Sequence, residues 1–249
     1  MGRSVNAPQS ADVWRVAALT MMRPEQLNAA LCGSDADVWV GAAASCGIPE
    51  AQVRLGRLLL EGTVVAADKT AAFDWFFKAA QSSDAEAHNM LGRCYENGWG
   101  TPVDMQSAVH HYRLAAYAGL AWAQYNLGHM LLNGDGTRRD PEEAFAWYSR
   151  AAALGHERAM NLVARCCEEG WGTPKDPKAA RDWYRRSAQG GYFRGAYNYA
   201  TILAAEGCIT GSLMWFRKAI ALATEPSRSN ILAALSSHTD LRIRALATD

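Results

Sequence analysis

One pattern is written four times between Pro49 and Tyr192, with a period of 36 residues and no insertion or deletion. Glycine, aspartate, alanine and aromatic residues each recur at this step. A fixed period of about 20 to 50 residues is typical of proteins built from stacked repeats. The repeat therefore predicts the architecture of most of the chain, and it points to no reaction. The glycines that keep the step are Gly62, Gly98, Gly134 and Gly170, and the aspartates are Asp68, Asp104, Asp140 and Asp176.

The boundaries of the repeats follow from this period. After Tyr192 the pattern recurs, but Trp215 and Phe216 arrive four residues early, so the fifth copy has a shorter loop. Trp39 lies 36 residues ahead of Trp75, which indicates a degenerate capping repeat at the N-terminal end. We predict one domain, with a disordered start at 1–10, a capping repeat at 11–48, full copies at 49–84, 85–120, 121–156 and 157–192, a shortened copy at 193–224, and a cap and tail at 225–249.

Each copy contains the signals of two helices, and they are clearest in the third copy. Apolar and small residues recur on one face of a first helix that ends at Gly134, because glycine adopts the left-handed terminal conformation without strain. Asp140 and Pro141 open the second helix, and we expect Glu143 to complete a capping box. Gly155 ends the second helix. We predict an all-α fold, a right-handed α-α superhelix (α-solenoid) of about five to six helix-turn-helix repeats.

The composition excludes several classes of protein. The 25 basic and 25 acidic residues cancel, so the net charge gives no reason to expect nucleic acid or an anionic membrane as a partner. Asp12 and Arg15 interrupt the only candidate signal segment. No apolar run approaches the roughly 18 to 20 residues of a transmembrane helix. We therefore expect a soluble cytoplasmic protein.

The six cysteines form neither a CxxC motif nor a zinc-binding spacing. Cys94 and Cys166 occupy the same repeat position, which Leu58 and Met130 fill in the other copies. Free cysteine behaves as a small buried hydrophobic residue. We therefore predict reduced thiols in the core, which fits a reducing cytoplasm.

The motif of the third copy, AWAQYNLGHMLLNGDGTRRDPEEAFAWYSRAAALGH, resembles the Sel1-like repeat, a relative of the tetratricopeptide repeat. The resemblance is strong over 49–192 and weak over 13–48 and 193–224. The sequence departs from the family pattern at His111, which replaces a tryptophan, and at Val163 and Ala164, which replace Leu-Gly. The resemblance implies an α-solenoid that serves as an adaptor or scaffold in protein complexes.

Catalytic and cofactor motifs are not expected in this sequence. No serine, cysteine or carboxylate stands beside a positioned base, so we predict neither enzyme activity nor a cofactor. The loops at 98–101 and 170–173 contain two glycines each, but the Lys-Ser/Thr pair and preceding strand of a phosphate-binding loop are missing. We also predict no metal site, since no two of His88, His110, His111 and His129 share a helix face at i, i+4.

A second hypothesis is a small-ligand- or metal-binding enzyme or enzyme accessory. Some secreted, cysteine-rich relatives of the Sel1-like repeat are linked to β-lactam binding, and they pair two cysteines inside each repeat. This chain has no such pairs, so the interaction scaffold is the leading hypothesis.

The candidate binding residues lie on the first helix of each copy, opposite its predicted core face. In a right-handed stack this face lines the concave surface, where asparagine can bind a peptide backbone and arginine can bind carboxylates. The partner would be a peptide or loop with acidic residues or a free C-terminus. The alternative is an ordinary solvated helix face. The predicted groove residues are Arg57, Asn89, Arg93, Tyr125, His129, Asn161, Arg165 and Tyr197.

Two tryptophans form an alternative binding surface. Trp99 and Trp171 occupy equivalent loop positions, and exposed tryptophans are enriched at binding hot spots. The competing interpretation is that both fold back over a neighbouring loop.

Overall fold

The computed structural model describes residues 36–63 and 65–248, and these residues form helices and no strands. The predicted disordered start at 1–10 and most of the capping repeat at 11–48 lie outside the described residues, as does Cys32. The helices are α1 (Ala36–Ser45), α2 (Pro49–Glu61), α3 (Lys69–Ala80), α4 (Ala85–Asn97), α5 (Met105–Tyr117), α6 (Ala121–Asn133), α7 (Pro141–Ala153), α8 (Glu157–Glu169), α9 (Pro177–Gln189), α10 (Phe193–Ala205), α11 (Ile209–Leu222), α12 (Glu225–Ser236) and α13 (Leu241–Ala245).

Contacts group the chain into two compact units. Among the described residues, the N-terminal unit comprises 36–63, 65–123 and 135–138, and the C-terminal unit comprises 124–134 and 139–248. In the N-terminal unit α2 pairs with α3, and α4 pairs with α5; in the C-terminal unit α8 pairs with α9, and α10 pairs with α11. Each pair is the helix-turn-helix of one copy. The all-α, α-solenoid fold class predicted from the period is confirmed.

Aspartate caps open the second helices, as the sequence predicts. In the third copy the Asp140 carboxylate accepts the backbone N–H of Glu143 at 2.8 Å. The predicted capping box is wrong, because the Asp140 N–H donates to the Leu131 carbonyl at 2.8 Å. The Glu143 carboxylate instead accepts the indole N–H of Trp147 at 3.1 Å. The loop therefore returns to the end of the first helix, whose carbonyl accepts the N–H group that the capping box was predicted to engage.

In the second and fourth copies, the second glycine of the loop joins consecutive copies. Gly100 and Gly172 have positive φ, at 74° and 67°, and each lies against the first residue of an earlier second helix. A Cβ atom would lie 2.1 Å from the Lys69 carbonyl oxygen at Gly100, and 2.0 Å from that of Pro141 at Gly172. These glycines therefore serve inter-repeat packing, as expected for a structural rather than a phosphate-binding loop.

Large rings pack on small residues inside each helix pair. A Cβ atom added to Gly92 or Gly128 would lie 2.6 Å from the ring of Tyr112 or Tyr148, respectively. Both tyrosines are fully buried. The predicted role of small residues, which is to let large aromatic side chains fill the space between helices, is confirmed.

Thiols and the C-terminal end complete the core. Cys94 and Cys166 are 0% and 1% exposed, so the predicted core position is confirmed.

The loop between α10 and α11 has three residues, whereas the loop between α8 and α9 has seven, so the deletion lies in the loop as predicted. Helix α13 was not predicted; Ile243 within it and Leu246 directly after it are buried.

Candidate protein-interaction grooves

The predicted binding residues lie along a groove in each unit. The N-terminal groove has a volume of about 490 Å³, and its lining includes Arg57, Arg93 and Trp99. The C-terminal groove has a volume of about 580 Å³. Seven of the eight predicted groove residues line one of these two grooves. Those in the C-terminal groove are Tyr125, His129, Asn161, Arg165 and Tyr197.

The two predicted asparagines are buried rather than solvated. Asn89 is 4% exposed and Asn161 is 6% exposed, so the prediction that this position faces away from packed residues is wrong. The Asn161 side-chain oxygen Oδ1 accepts a hydrogen bond from the side-chain Nδ2 of Asn198 at 2.9 Å, which links α8 to α10. The first helices of consecutive copies pack against each other at this position. Periodicity within one helix gives no information about that contact, so the sequence pattern did not predict it.

Two of the groove arginines contact the loop tryptophans of their own copies. The Arg93 guanidinium lies 5.0 Å from the centre of the Trp99 ring, and Arg165 lies 4.9 Å from that of Trp171. Such cation–π contacts contribute about 0.5–1 kcal/mol at exposed sites. Each tryptophan folds back over the exposed arginine of its own copy, so the indole and the guanidinium present a joint surface.

A buried tyrosine holds a carboxylate beside each of these stacks. The Tyr112 hydroxyl donates to Glu96 at 2.5 Å, and the Tyr184 hydroxyl donates to Glu168 at 2.7 Å. Burial and then the charge of Glu96 raise the pKa of Tyr112 above its ordinary value. The fixed carboxylate therefore stands one helical turn from the arginine. The sequence contains a signal for this contact. The second and fourth copies combine tyrosine with glutamate at these two positions, whereas the first copy has Phe76 and Leu60.

The third copy lacks this arrangement. His129 replaces the arginine and Leu132 replaces the glutamate. Among the described residues, the hydroxyl of Tyr148 has no hydrogen-bond partner, although its ring is fully buried. The His129 ring lies instead against Tyr125, with Nε2 at 3.1 Å from the phenol oxygen.

An additional histidine packs against Tyr125, a lining residue of the C-terminal groove. The ring of His156 stacks on Tyr125 with the ring centres 5.0 Å apart. Its Nδ1 accepts the backbone N–H of Ala159 at 3.1 Å and so caps α8. Burial lowers the pKa of His156, which favours the neutral ring that this cap requires.

Two further arginines enlarge the basic surface of the C-terminal groove. Arg158 lies 5.7 Å from the centre of the Tyr192 ring, and Arg194 lies 5.6 Å from that of Phe193. With Arg165 they place three guanidinium groups in the lining of this groove. Sequence analysis missed both residues, because they lie at the N-terminal ends of α8 and α10 rather than on the predicted groove face.

In the N-terminal groove the basic residues are partly neutralised. Arg57 forms an ion pair with Glu86, and both side chains are partly exposed. Burial, and then the positive charge of Arg93, lower the pKa of Arg57. Arg93 therefore disfavours the positive charge of Arg57, and the carboxylates around Arg57 offset part of that effect.

Two other features limit the possible functions. No helix in the described part of the chain has the length and apolarity needed to cross a membrane. Residues 36–63 and 65–248 contain no cluster of three or more histidine, cysteine, aspartate or glutamate side chains arranged to hold a metal ion. His88 and His111, which the sequence places on different helices, nevertheless lie with their Nδ1 atoms 3.1 Å apart.

Paired helices, glycine loops that join the copies, and grooves lined by repeated side chains define a helical-repeat protein. The family model of the Sel1 repeat matches residues 49–84, 85–120, 123–156 and 157–192, which is more than half of the chain. The chain belongs to the Sel1-repeat family. Proteins of this family are generally scaffolds for protein interactions and are generally non-enzymatic.

Several solved structures share the fold. A Sel1 repeat protein from Oxalobacter formigenes is 27% identical with a TM-score of 0.71, over 94% of this chain and 90% of that one. A protective antigen present in uropathogenic Escherichia coli strains is 23% identical with a TM-score of 0.71, over 95% of this chain and 52% of that one. This chain thus spans about half the length of the antigen. An immunity protein from Pseudomonas aeruginosa is 16% identical with a TM-score of 0.56, over 80% and 78%. The comparison with curated protein sequences gave no match.

Proposed function

We propose that this protein is a non-catalytic scaffold or adaptor that binds a peptide or a partner's loop in the C-terminal groove. The observation that carries this proposal is the lining of that groove, in which three arginines lie among four tyrosines. Tyrosine supplies rigid contact area with little loss of entropy on binding, and arginine supplies directed hydrogen bonds. The lining residues that serve this role are Arg158, Arg165, Arg194, Tyr125, Tyr192 and Tyr197.

The charge of the groove favours a partner segment with a carboxylate. Three guanidinium groups face one carboxylate, that of Glu168, which is already engaged by the hydroxyl of Tyr184. Arginine binds a carboxylate through two parallel hydrogen bonds. An acidic side chain or a free C-terminus is therefore the expected anchor. Nucleic acid is a poorer fit, because the net charge of the chain is zero and Glu168 interrupts the basic surface.

We also propose that the protein is cytoplasmic. Cys94, Cys166 and Cys167 are buried as free thiols, and burial raises the pKa of Cys94 and Cys166 to about 12. Such thiols are unreactive, and they suit a compartment in which cysteines stay reduced.

The test is selection from a displayed library of random peptides with free C-termini, followed by titration of the selected peptides. We expect enrichment of acidic residues or of a defined C-terminal residue. Arg165→Ala should weaken binding severalfold or more, since hydrogen bonds to charged groups typically contribute about 1.5–3 kcal/mol. The matched control is Arg185→Ala, which removes an exposed arginine that pairs with Asp182 on α9.

Two results would argue against this proposal. Selected peptides without acidic residues, whose affinity also survives amidation of the C-terminus, would exclude the carboxylate anchor. Equal weakening by Arg165→Ala and Arg185→Ala would show that net charge, rather than the groove, governs binding.

A further inference from the structure

The second copy departs from the repeat at three positions that come together on one side of its helix pair. His88 occupies a position that holds glutamine in two other copies, and His111 occupies a position that holds tryptophan in the rest. Leu114 replaces the lysine or arginine that lies over that tryptophan elsewhere. The equivalent residues are Gln52 and Gln124; Trp75, Trp147, Trp183 and Trp215; and Lys78, Arg150, Arg186 and Lys218.

The two imidazoles face each other across α4 and α5. Their Nδ1 atoms lie 3.1 Å apart and their ring planes differ by 25°. Tyr95 stacks on His111 at 5.5 Å with an angle of 5° between the planes, and Phe73 packs edge-on against Tyr95. The His111 ring is therefore held in place by packing. The exposed His110 ring lies edge-on to His111, with the ring centres 5.3 Å apart, and the described residues form no cluster of three metal ligands there.

The two Nδ1 atoms lie at hydrogen-bonding distance, and their separation also lets both bind one metal ion when neither carries a proton. With an ion at about 2.05 Å from each Nδ1, the N–metal–N angle would be about 98°, between the square-planar and tetrahedral values. Burial lowers the pKa of His88, and it lowers the pKa of His111 to about 4, so both rings are neutral at pH 7. The missing cation at Leu114 also removes a charge that would repel a metal ion.

We propose that His88 and His111 chelate a divalent late first-row transition metal ion, of which Cu²⁺ binds most tightly. Imidazole nitrogen is a preferred ligand for Cu²⁺, Ni²⁺ and Zn²⁺. Because the described residues supply no cluster of three ligands, the remaining coordination positions are filled by water or by a side chain from a partner. The site lies on the N-terminal unit, and it is independent of the proposed groove function.

The repeat itself supplies the test variants. His111→Trp and His88→Gln introduce residues that other copies carry at the same positions, so both should fold, which the thermal unfolding midpoint checks. The control is His238→Gln, which removes a histidine from the C-terminal unit. Each metal-free full chain is titrated separately with Cu²⁺, Ni²⁺ and Zn²⁺ against a chromophoric chelator.

We expect the unaltered chain to bind about one equivalent of Cu²⁺, with weaker Ni²⁺ and Zn²⁺ binding in the Irving–Williams order. Each single variant should weaken Cu²⁺ binding by about tenfold or more, since a chelate becomes a single ligand, and His238→Gln should have no effect. The electron paramagnetic resonance spectrum should show two nitrogen ligands. Absence of stoichiometric binding, or a loss caused by only one of the two variants, would overturn the proposal.

Discussion

Three buried tyrosines occupy the same repeat position but differ in what their hydroxyls contact. Tyr112 and Tyr184 each donate a hydrogen bond to a carboxylate, whereas Tyr148 has no hydrogen-bond partner among the described residues. Replacing each with phenylalanine removes only the hydroxyl. The ring position itself tolerates the change, because Phe76 fills it in the first copy and is fully buried there.

The three substitutions should change the free energy of unfolding in different directions. Tyr112→Phe loses a hydrogen bond to a charged group, which contributes about 1.5–3 kcal/mol. We expect a loss near 1.5 kcal/mol, because the partly exposed Glu96 regains contact with water. Tyr184→Phe should cost about 1 kcal/mol, since Glu168 is exposed. Tyr148→Phe removes a hydroxyl whose burial is uncompensated, so we expect no loss and a gain of up to about 1 kcal/mol.

Urea unfolding of the full chain measures these differences. The midpoints are compared between variants whose m-value is unchanged, since repeat proteins can lose cooperativity. A double-mutant cycle of Tyr112→Phe with Glu96→Leu should show a coupling of about 1 kcal/mol or more. Conversely, Leu132→Glu should provide an acceptor and couple to Tyr148. If Tyr148→Phe destabilises the protein as much as Tyr112→Phe does, the assignment of an unsatisfied hydroxyl is wrong.

Two further predictions concern the ends of helices. Ser83 has a φ of 58° at a position where Gly119 follows in the next copy, so Ser83→Gly should stabilise the protein by about 1 kcal/mol in urea unfolding, and Gly119→Ser should destabilise it. Burial lowers the pKa of His156 below its ordinary 6.5, so the unfolded chain binds the proton more readily. The neutral His156 ring therefore stabilises the folded protein in full above pH 6.5, and this stabilisation is lost as the pH falls through the lowered pKa of the folded state. Thermal unfolding of metal-free protein from pH 7 to 5 should therefore show a decline that His156→Asp reduces, since Asp84 caps α4 in this way. Equal slopes for the two proteins would contradict the assignment of the cap.

The period, the helix ends and the fold class follow from the sequence alone. Asp140 caps its helix by accepting the backbone N–H of Glu143, three residues further along the chain. Gly134 ends a helix because its own backbone adopts a φ of 85°. These are local properties of the backbone, so each copy contains the information that specifies them. Their recurrence at 36 residues then requires stacking, since one helix pair does not bury both of its faces.

Only the tertiary structure decides which residues come together in each candidate site. Asn161 and Asn198 belong to consecutive copies, and His88 and His111 belong to different helices of one copy. Helical periodicity shows which face of one helix a residue occupies. It does not specify how far the neighbouring helix is rotated about its own axis. That rotation is set by the packing of rings such as Tyr148 against Gly128, and it decides which side chains meet across the pair.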